Sequence, residues 1–191
     1  MQDAQAFCGP CAIANEQEIP MPDMDTTQLV RWLADLEAIR QLKHKYCGLC
    51  DDGYDADPLA ELFTEDAVWD GGPIGAHSGR EAIRRFFQGS PARVPFALHM
   101  VMNPIIEVDG DLATGCWYLW EPLVYALPDG EQAWWMSARY DDRYRRTADG
   151  WKFERVTITM KMLAPYEKGW GSARITDVYA GLRQSGGAPK T

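Results

Sequence analysis

Apolar residues recur at helical spacing near the start of the chain. Leu29, Val30, Leu33, Leu36, Ile39, Leu42 and Tyr46, with Trp32 beside them, fall mostly three or four positions apart, which is the repeat of one helix face. Asp25-Thr26 precedes the run as an N-cap. Asp51, Asp52 and Gly53 follow it as a stop, so one long helix is predicted from Thr26 to about Leu49. Asp57-Pro58 opens a short second helix through Leu62. Ala67–Trp69 reads as a short strand, Gly71-Gly72-Pro73 as a loop, and Gly79–Phe87 as a third helix.

Beyond residue 93 the pattern becomes extended. Val94–Glu107 reads as two short strands broken at Asn103-Pro104, and Asp109-Gly110 is a hairpin turn. Leu112–Ala126, Gln132–Arg146 and Trp151–Met162 are long strands separated by Pro128-Asp129-Gly130 and Ala148-Asp149-Gly150. Helices first and successive hairpins afterwards predict an α+β domain, with about three N-terminal helices on one face of an antiparallel sheet. The domain spans residues 25–165. Residues 1–24, with Pro10, Pro20 and Pro22, read as an arm, and residues 166–191 as a tail with one short helix near Thr176–Arg183.

Composition narrows the functional classes. A chain of 191 residues with 46% hydrophobic and 25% charged residues is a globular domain with one sizeable core. A net charge of -9 speaks against nucleic acid and anionic membrane surfaces as partners. No apolar run approaches the roughly 20 residues of a membrane span. The N-terminus lacks a basic region followed by an apolar one, so no signal peptide and a cytoplasmic location are expected. Eight Trp and eight Tyr are many for one small domain. They read either as a large core or as the aromatic walls of a pocket.

Two Cys-x-x-Cys pairs invite a redox or zinc reading. Cys8-Gly9-Pro10-Cys11 has the letters of a redox motif. Such chemistry needs a strand before it and a helix after it, and only seven residues precede it. Cys47 and Cys50 complete the arithmetic of a four-thiolate site, but the 35 intervening residues exceed zinc-knuckle spacing and are mostly one helix. Cys47 and Cys50 are therefore expected on the buried side of the helix as small apolar residues, and no metal or other cofactor is expected.

Acid–base chemistry has few candidates. The chain holds three histidines. His44, between Lys43 and Lys45, reads as solvated, and His77 lies in a loop. His99 stands among apolar strand residues, either as a satisfied core group or as a general base tuned by a carboxylate. Asp51, at the helix end, is a plausible carboxylate partner. Alternation in the following strand puts Trp117, Leu119 and Glu121 on one face and Cys116, Tyr118 and Trp120 on the other. A carboxylate at Glu121 in so apolar a run needs a partner or a proton. Tyr46 is a further candidate, although it lies about 140° round an ideal helix from Asp51.

The order and spacing of these segments carry a resemblance. The run KY-x4-D, then LAELFTEDAVWDG, GREAIRRFF, the LHM histidine, ATGCWYLW and DGWKFERV resemble, over residues 30–162, the SnoaL-like branch of the nuclear-transport-factor-two-like superfamily. The pattern is most similar to bacterial bile-acid 7α-dehydratases, and more distantly to scytalone dehydratase and the lindane dehydrochlorinase. The resemblance implies a cone-shaped fold, a curved sheet wrapped around helices and enclosing a deep pocket. It further implies that Tyr46, Asp51, His99 and Glu121 are catalytic, and it places the family's pocket cation nearest to Lys161. Trp69, Trp117 and Tyr140 are the expected substrate-binding walls. The expected activity is that of a cofactor-independent lyase on a bulky aromatic or polycyclic alcohol, releasing water or a small aldehyde. A non-catalytic ligand-binding or assembly module and a ketosteroid-isomerase-like isomerase are the alternatives. Relatives of this kind often form dimers or trimers through the sheet, for which outward Tyr118 and Trp120 are suited.

Overall fold

The computed structural model describes residues 23–176. Cys8, Cys11 and nearly all of the N-terminal arm lie outside the described residues, as does the predicted tail helix beyond Thr176.

The first helix, α1, spans Thr26–Asp51. Asp25 accepts from the Gln28 backbone N–H at 2.8 Å, and the Gln28 side chain accepts from the Asp25 N–H at 2.9 Å. This reciprocal capping box satisfies two donors that the first turn leaves unpaired. The buried stripe begins only at Leu36 and continues through Ile39, Leu42, Lys43, Tyr46, Cys47 and Cys50. Val30 and Leu33, expected on that stripe, are exposed. After the helix, Gly53 and Tyr54 both adopt left-handed φ, at 93° and 59°. The Tyr54 N–H closes the helix end on the Leu49 carbonyl at 3.0 Å.

Two further helices follow, α2 (Ala56–Glu61) and α3 (Arg80–Gln88). Seven strands form one sheet: β1 (Phe63–Asp70), β2 (Ala76–Ser78), β3 (Phe96–Ala97), β4 (Met100–Asp109), β5 (Leu112–Leu127), β6 (Gly130–Thr147) and β7 (Gly150–Pro165). Their order is β2-β1-β7-β6-β5, with β3 and β4 sharing the outer edge of β5. A last short helix, α4 (Gly169–Ser172), precedes the predicted tail helix in the chain.

The long strands β5, β6 and β7 follow the expected alternation. Ala113, Trp117, Leu119, Glu121 and Leu123 are buried, and Tyr118 between them is exposed. The helices pack on this buried side, against Met136, Ala138, Tyr140, Tyr144, Phe153, Val156 and Ile158.

Two expectations need correction. The sheet is mixed rather than antiparallel, because β1 runs parallel to β7. Turn residues record the sense of strands adjacent in sequence, and β1 pairs with a strand far along the chain, so no turn signal marked it. The break in the Val94–Glu107 region lies at Leu98-His99, not at Asn103-Pro104. The latter dipeptide sits inside β4 as a bulge, with Asn103 at φ 49° and a register shift between Met102 and Ile105. A bulge accommodates a residue that has no N–H to give the ladder.

Candidate active site

The interruption between β3 and β4 is the start of the site. Ala97 pairs with Leu123 and Met100 with Trp120. Between them the His99 backbone N–H leaves the ladder and donates to Asp51 Oδ1 at 2.8 Å. The same oxygen lies 2.7 Å from His99 Nδ1. Asp51 is the last residue of α1, so the helix end delivers a carboxylate to the edge of the sheet. On the other side of the ring, His99 Nε2 is 3.7 Å from Glu121 Oε1. The His99 and Glu121 side chains are only 7% and 4% exposed, and Asp51 is 24% exposed. Glu121 Oε2 is buried and has no hydrogen-bond partner among the described residues.

The electrostatics follow from this line of three groups. Burial pulls the His99 imidazole down, but the Glu121 charge and the Asp51 hydrogen bond push it up, and the net direction is upward. Burial raises the Glu121 carboxyl above its ordinary range, only partly offset by His99. Such a pair titrates as a unit and readily holds one proton between its members.

Tyr54 is a neighbour of the site that sequence reasoning missed, and Tyr125 lies on the same strand as Glu121. The Tyr54 ring stands edge-on to His99, with centroids 6.2 Å apart, and stacks on Phe87. Burial and then the Glu121 charge raise both phenols. Tyr54 is a non-glycine residue with positive φ, an uncommon conformation associated with functional positions. In the sequence it looks like part of an acidic turn.

Tyr46 does not join this line by any hydrogen bond of its own. Its hydroxyl accepts from the Trp69 indole N–H at 2.9 Å. Its fully buried ring meets Phe63, Phe87, Tyr140 and Phe153 edge-on. Trp69 is packed on Phe86 with centroids 4.4 Å apart. Trp117 and Tyr140 belong to a second buried polar cluster. Lys43 Nζ contacts Asp142 Oδ2 at 2.9 Å, with both side chains wholly buried. Tyr144 donates to the same oxygen at 2.9 Å, and Trp117 donates to the Tyr144 hydroxyl at 3.1 Å. The Lys43 ammonium lies 3.2 Å from the centre of the Tyr140 ring. Lys161 is half-buried in β7, between Met160 and Met162, where the register with β6 shifts.

Both helical cysteines are buried as free thiols. Burial pushes the Cys47 thiol up to about 12, so it packs as a small apolar group. Among the described residues no group of three or more His, Cys, Asp or Glu side chains is placed to hold a metal ion. None of their helices is long and apolar enough to cross a membrane.

N-terminal helices packed on one face of a curved mixed sheet define the cone-shaped α+β class. The profile of the SnoaL-like domain matches residues 31–157, and the chain belongs to that family. An uncharacterized protein of Mycobacterium tuberculosis is 32% identical over 128 residues, covering 66% of this chain and 86% of its own length. A crystal structure from Novosphingobium aromaticivorans, provisionally named an aromatic ring hydroxylase, is 33% identical with a TM-score of 0.63, covering 70% of this chain and 94% of its own. Hexachlorocyclohexane dehydrochlorinase LinA-type3 from Novosphingobium barchaimii is 25% identical with a TM-score of 0.63, covering 71% and 92%. A provisional scytalone dehydratase from N. aromaticivorans, at 21% identity and a TM-score of 0.65 over 76% and 95%, shares the fold. Solved neighbours of this family thus include lyase-type enzymes.

Proposed function

We propose that this protein is a cofactor-independent lyase acting on a bulky aromatic or polycyclic alcohol. One observation carries the reading: Asp51 holds His99 Nδ1 at 2.7 Å while Nε2 is directed at the buried Glu121. With the Nδ1 proton donated to Asp51, Nε2 is the basic nitrogen, as in other carboxylate-oriented imidazoles. Nε2 takes a proton from the carbon next to the one bearing the hydroxyl. The electron pair of that C–H bond becomes the new double bond, the C–O bond breaks, and protonated Glu121 gives its proton to the departing hydroxyl, so that water leaves. The same groups serve an aldehyde-releasing cleavage. Nε2 then takes the hydroxyl proton, the adjacent C–C bond breaks as the carbonyl forms, and Glu121 protonates the released carbon. Glu121, rather than the hydrogen-bonded Tyr46, is the proton donor in this reading. The Tyr54 ring stands beside His99, whereas Trp69, Trp117 and Tyr140, the expected substrate-binding walls, are buried in the core.

The name of the dehydrochlorinase neighbour supports an elimination, and that of the 33%-identical neighbour supports an aromatic substrate. We further read the outer face of β4 and β5, where Met100, Met102, Ile105 and Tyr118 are exposed, as the contact of a homodimer or homotrimer.

The test is turnover of a panel of aryl and polycyclic secondary alcohols, followed by ultraviolet absorbance of the conjugated product and by aldehyde trapping. Wild-type turnover should fall by about 10²–10⁴-fold in His99→Ala. Turnover unchanged in both His99→Ala and Asp51→Asn would sink the reading. Tight binding of panel members without any turnover favours the non-catalytic module instead.

A further inference from the structure

The second buried cluster has no part in the proposed chemistry, and its position needs a reason. Lys43 and Asp142 face each other at 2.9 Å with no solvent exposure on either side chain. An ion pair in a dry core adds little stability compared with an apolar pair of the same volume. It does discriminate strongly between arrangements, because any seating that separates the charges leaves both bare. Specifying register is the best-attested use of such pairs.

The surroundings are built around this contact. Tyr144 donates to Asp142 Oδ2, and Trp117 donates to Tyr144. The Tyr140 face lies 3.2 Å from the ammonium, a cation–π contact that also depends on seating. Gly115 leaves space for the Trp117–Tyr144 bond, since a Cβ there would come within 3.0 Å of both the Tyr144 hydroxyl and Trp117 Nε1. The rest of the buried α1 stripe is Leu36, Ile39, Leu42, Cys47 and Cys50, which accept small shifts more readily than a paired charge does, together with Tyr46, whose hydroxyl accepts from Trp69. Lys43, Cys47 and Cys50 lie along one side of α1, and Asp51 is that helix's last residue. Sliding α1 by one turn, about 5.4 Å, would take Lys43 off Asp142 and Asp51 off His99 together.

We propose that Lys43 and Asp142 are positioning residues: their buried contact sets the seat of α1 on β6 and thereby places Asp51 against His99. This rests on the His99–Asp51 geometry and extends the proposed mechanism, but its test needs no substrate. The groups facing His99 are Asp51 and, more distantly, Lys43 from α1, Glu121 from β5, and the Tyr54 ring.

The experiment follows the His99 ring by NMR in the full chain, which has three histidines to assign. Two double variants are compared. Lys43→Met with Asp142→Leu removes both charges and the hydrogen bond. Lys43→Gln with Asp142→Asn removes the charges but keeps a hydrogen-bonded contact of similar shape. Positioning predicts that the first variant folds, loses the downfield Nδ1–H signal shared with Asp51, and titrates His99 at lower pH than wild type. It predicts that the second variant retains the signal. A purely electrostatic influence leaves the midpoint unchanged or raised, because the Lys43 charge lowers His99 and its loss is offset at most by the simultaneous loss of the opposite Asp142 charge. A His99 midpoint unchanged or raised in the folded Met/Leu variant overturns the proposal. So does failure of both double variants to fold, which makes the pair a requirement of the core alone. Should the lyase reading fail in the alcohol panel, these NMR outcomes keep their meaning.

Discussion

One oxygen of Asp51 serves His99 twice: Oδ1 lies 2.8 Å from the backbone nitrogen and 2.7 Å from Nδ1 of the ring. The first contact fixes where the strand breaks, and the second fixes the ring and its tautomer. A carboxamide at this position keeps the accepting oxygen but loses the negative charge that makes the Nδ1–H bond strong and stabilises the imidazolium. Asp51→Asn is therefore expected to lower turnover by about 10²–10⁴-fold and to abolish the downfield Nδ1–H resonance. Steady-state kinetics and a one-dimensional proton spectrum check the two parts separately. A variant that keeps the resonance and the rate would remove Asp51 from the mechanism.

Tyr46 and Trp69 make a different prediction, one of stability. The Trp69 N–H has the Tyr46 hydroxyl as its acceptor in a fully buried setting. Tyr46→Phe leaves that donor unpaired, which costs about 1–3 kcal/mol and should appear as a lower urea midpoint with an unchanged slope. Adding Trp69→Phe removes the orphaned donor, so the double change should cost less than the two single losses added together. Turnover per folded molecule should stay within a few fold. A large loss of rate in folded Tyr46→Phe would instead put the phenol in contact with substrate.

The sequence made some of these features legible and hid others for physical reasons. The start of α1 was readable because Asp25 and Gln28 are neighbours and capping is local. Burial of Glu121 was readable because alternation along a long strand is local as well. His99 and Asp51 are 48 positions apart, and no periodicity pairs them; Asp51 was a candidate because it closes a helix expected to lie across the sheet, and the resemblance of ordered segments to a family implied the same pair. Lys43 was invisible. A lysine beside His44 and Lys45 looks like part of a solvated face, and its partner lies 99 positions away. Tyr54 was lost in a turn, because its positive φ is set by the helix end it closes. The parallel entry of β1 left no turn signal at all. Non-local pairing is the cause of the Lys43 and β1 misses.

The outer face of the sheet leads to a prediction about assembly. Met100, Met102, Ile105 and Tyr118 are between 44% and 53% exposed on adjacent strands. Nearby, Trp120, Trp135 and Trp170 pack on one another with centroids 5.4–5.8 Å apart. A contiguous apolar face of this kind marks an interaction surface. Sedimentation velocity should show a dimer or trimer for the wild type. Met102→Asp with Tyr118→Asp should yield a folded monomer. A wild-type monomer at all concentrations tested contradicts this use of the face.

Glu121 gives the pH prediction, and its sign can be worked out. Burial lowers His99 from its ordinary 6.5, and Glu121 is the strongest of the influences that raise it, for a net upward shift. A base works in its deprotonated form, so turnover should rise with pH through the raised His99 midpoint. Glu121→Gln removes the negative charge but keeps the shape. The His99 midpoint then falls, and the acidic limb of the rate profile moves to lower pH. The maximal rate drops as well, because an amide has no proton of carboxylic-acid strength to give the leaving group. Stability follows the same linkage. A histidine raised in the folded state contributes stability that is complete below its ordinary 6.5 and is lost as pH rises through its folded value. The raised Glu121 carboxyl has the same sign, with its contribution complete below its ordinary 4.5 and lost as pH rises. The wild-type unfolding temperature should therefore fall more steeply than that of Glu121→Gln as pH rises from the acid side through neutrality. Paired rate profiles and thermal melts over that range measure both effects. An acidic limb that stays in place in Glu121→Gln would mean that Glu121 does not act on His99 in the working enzyme.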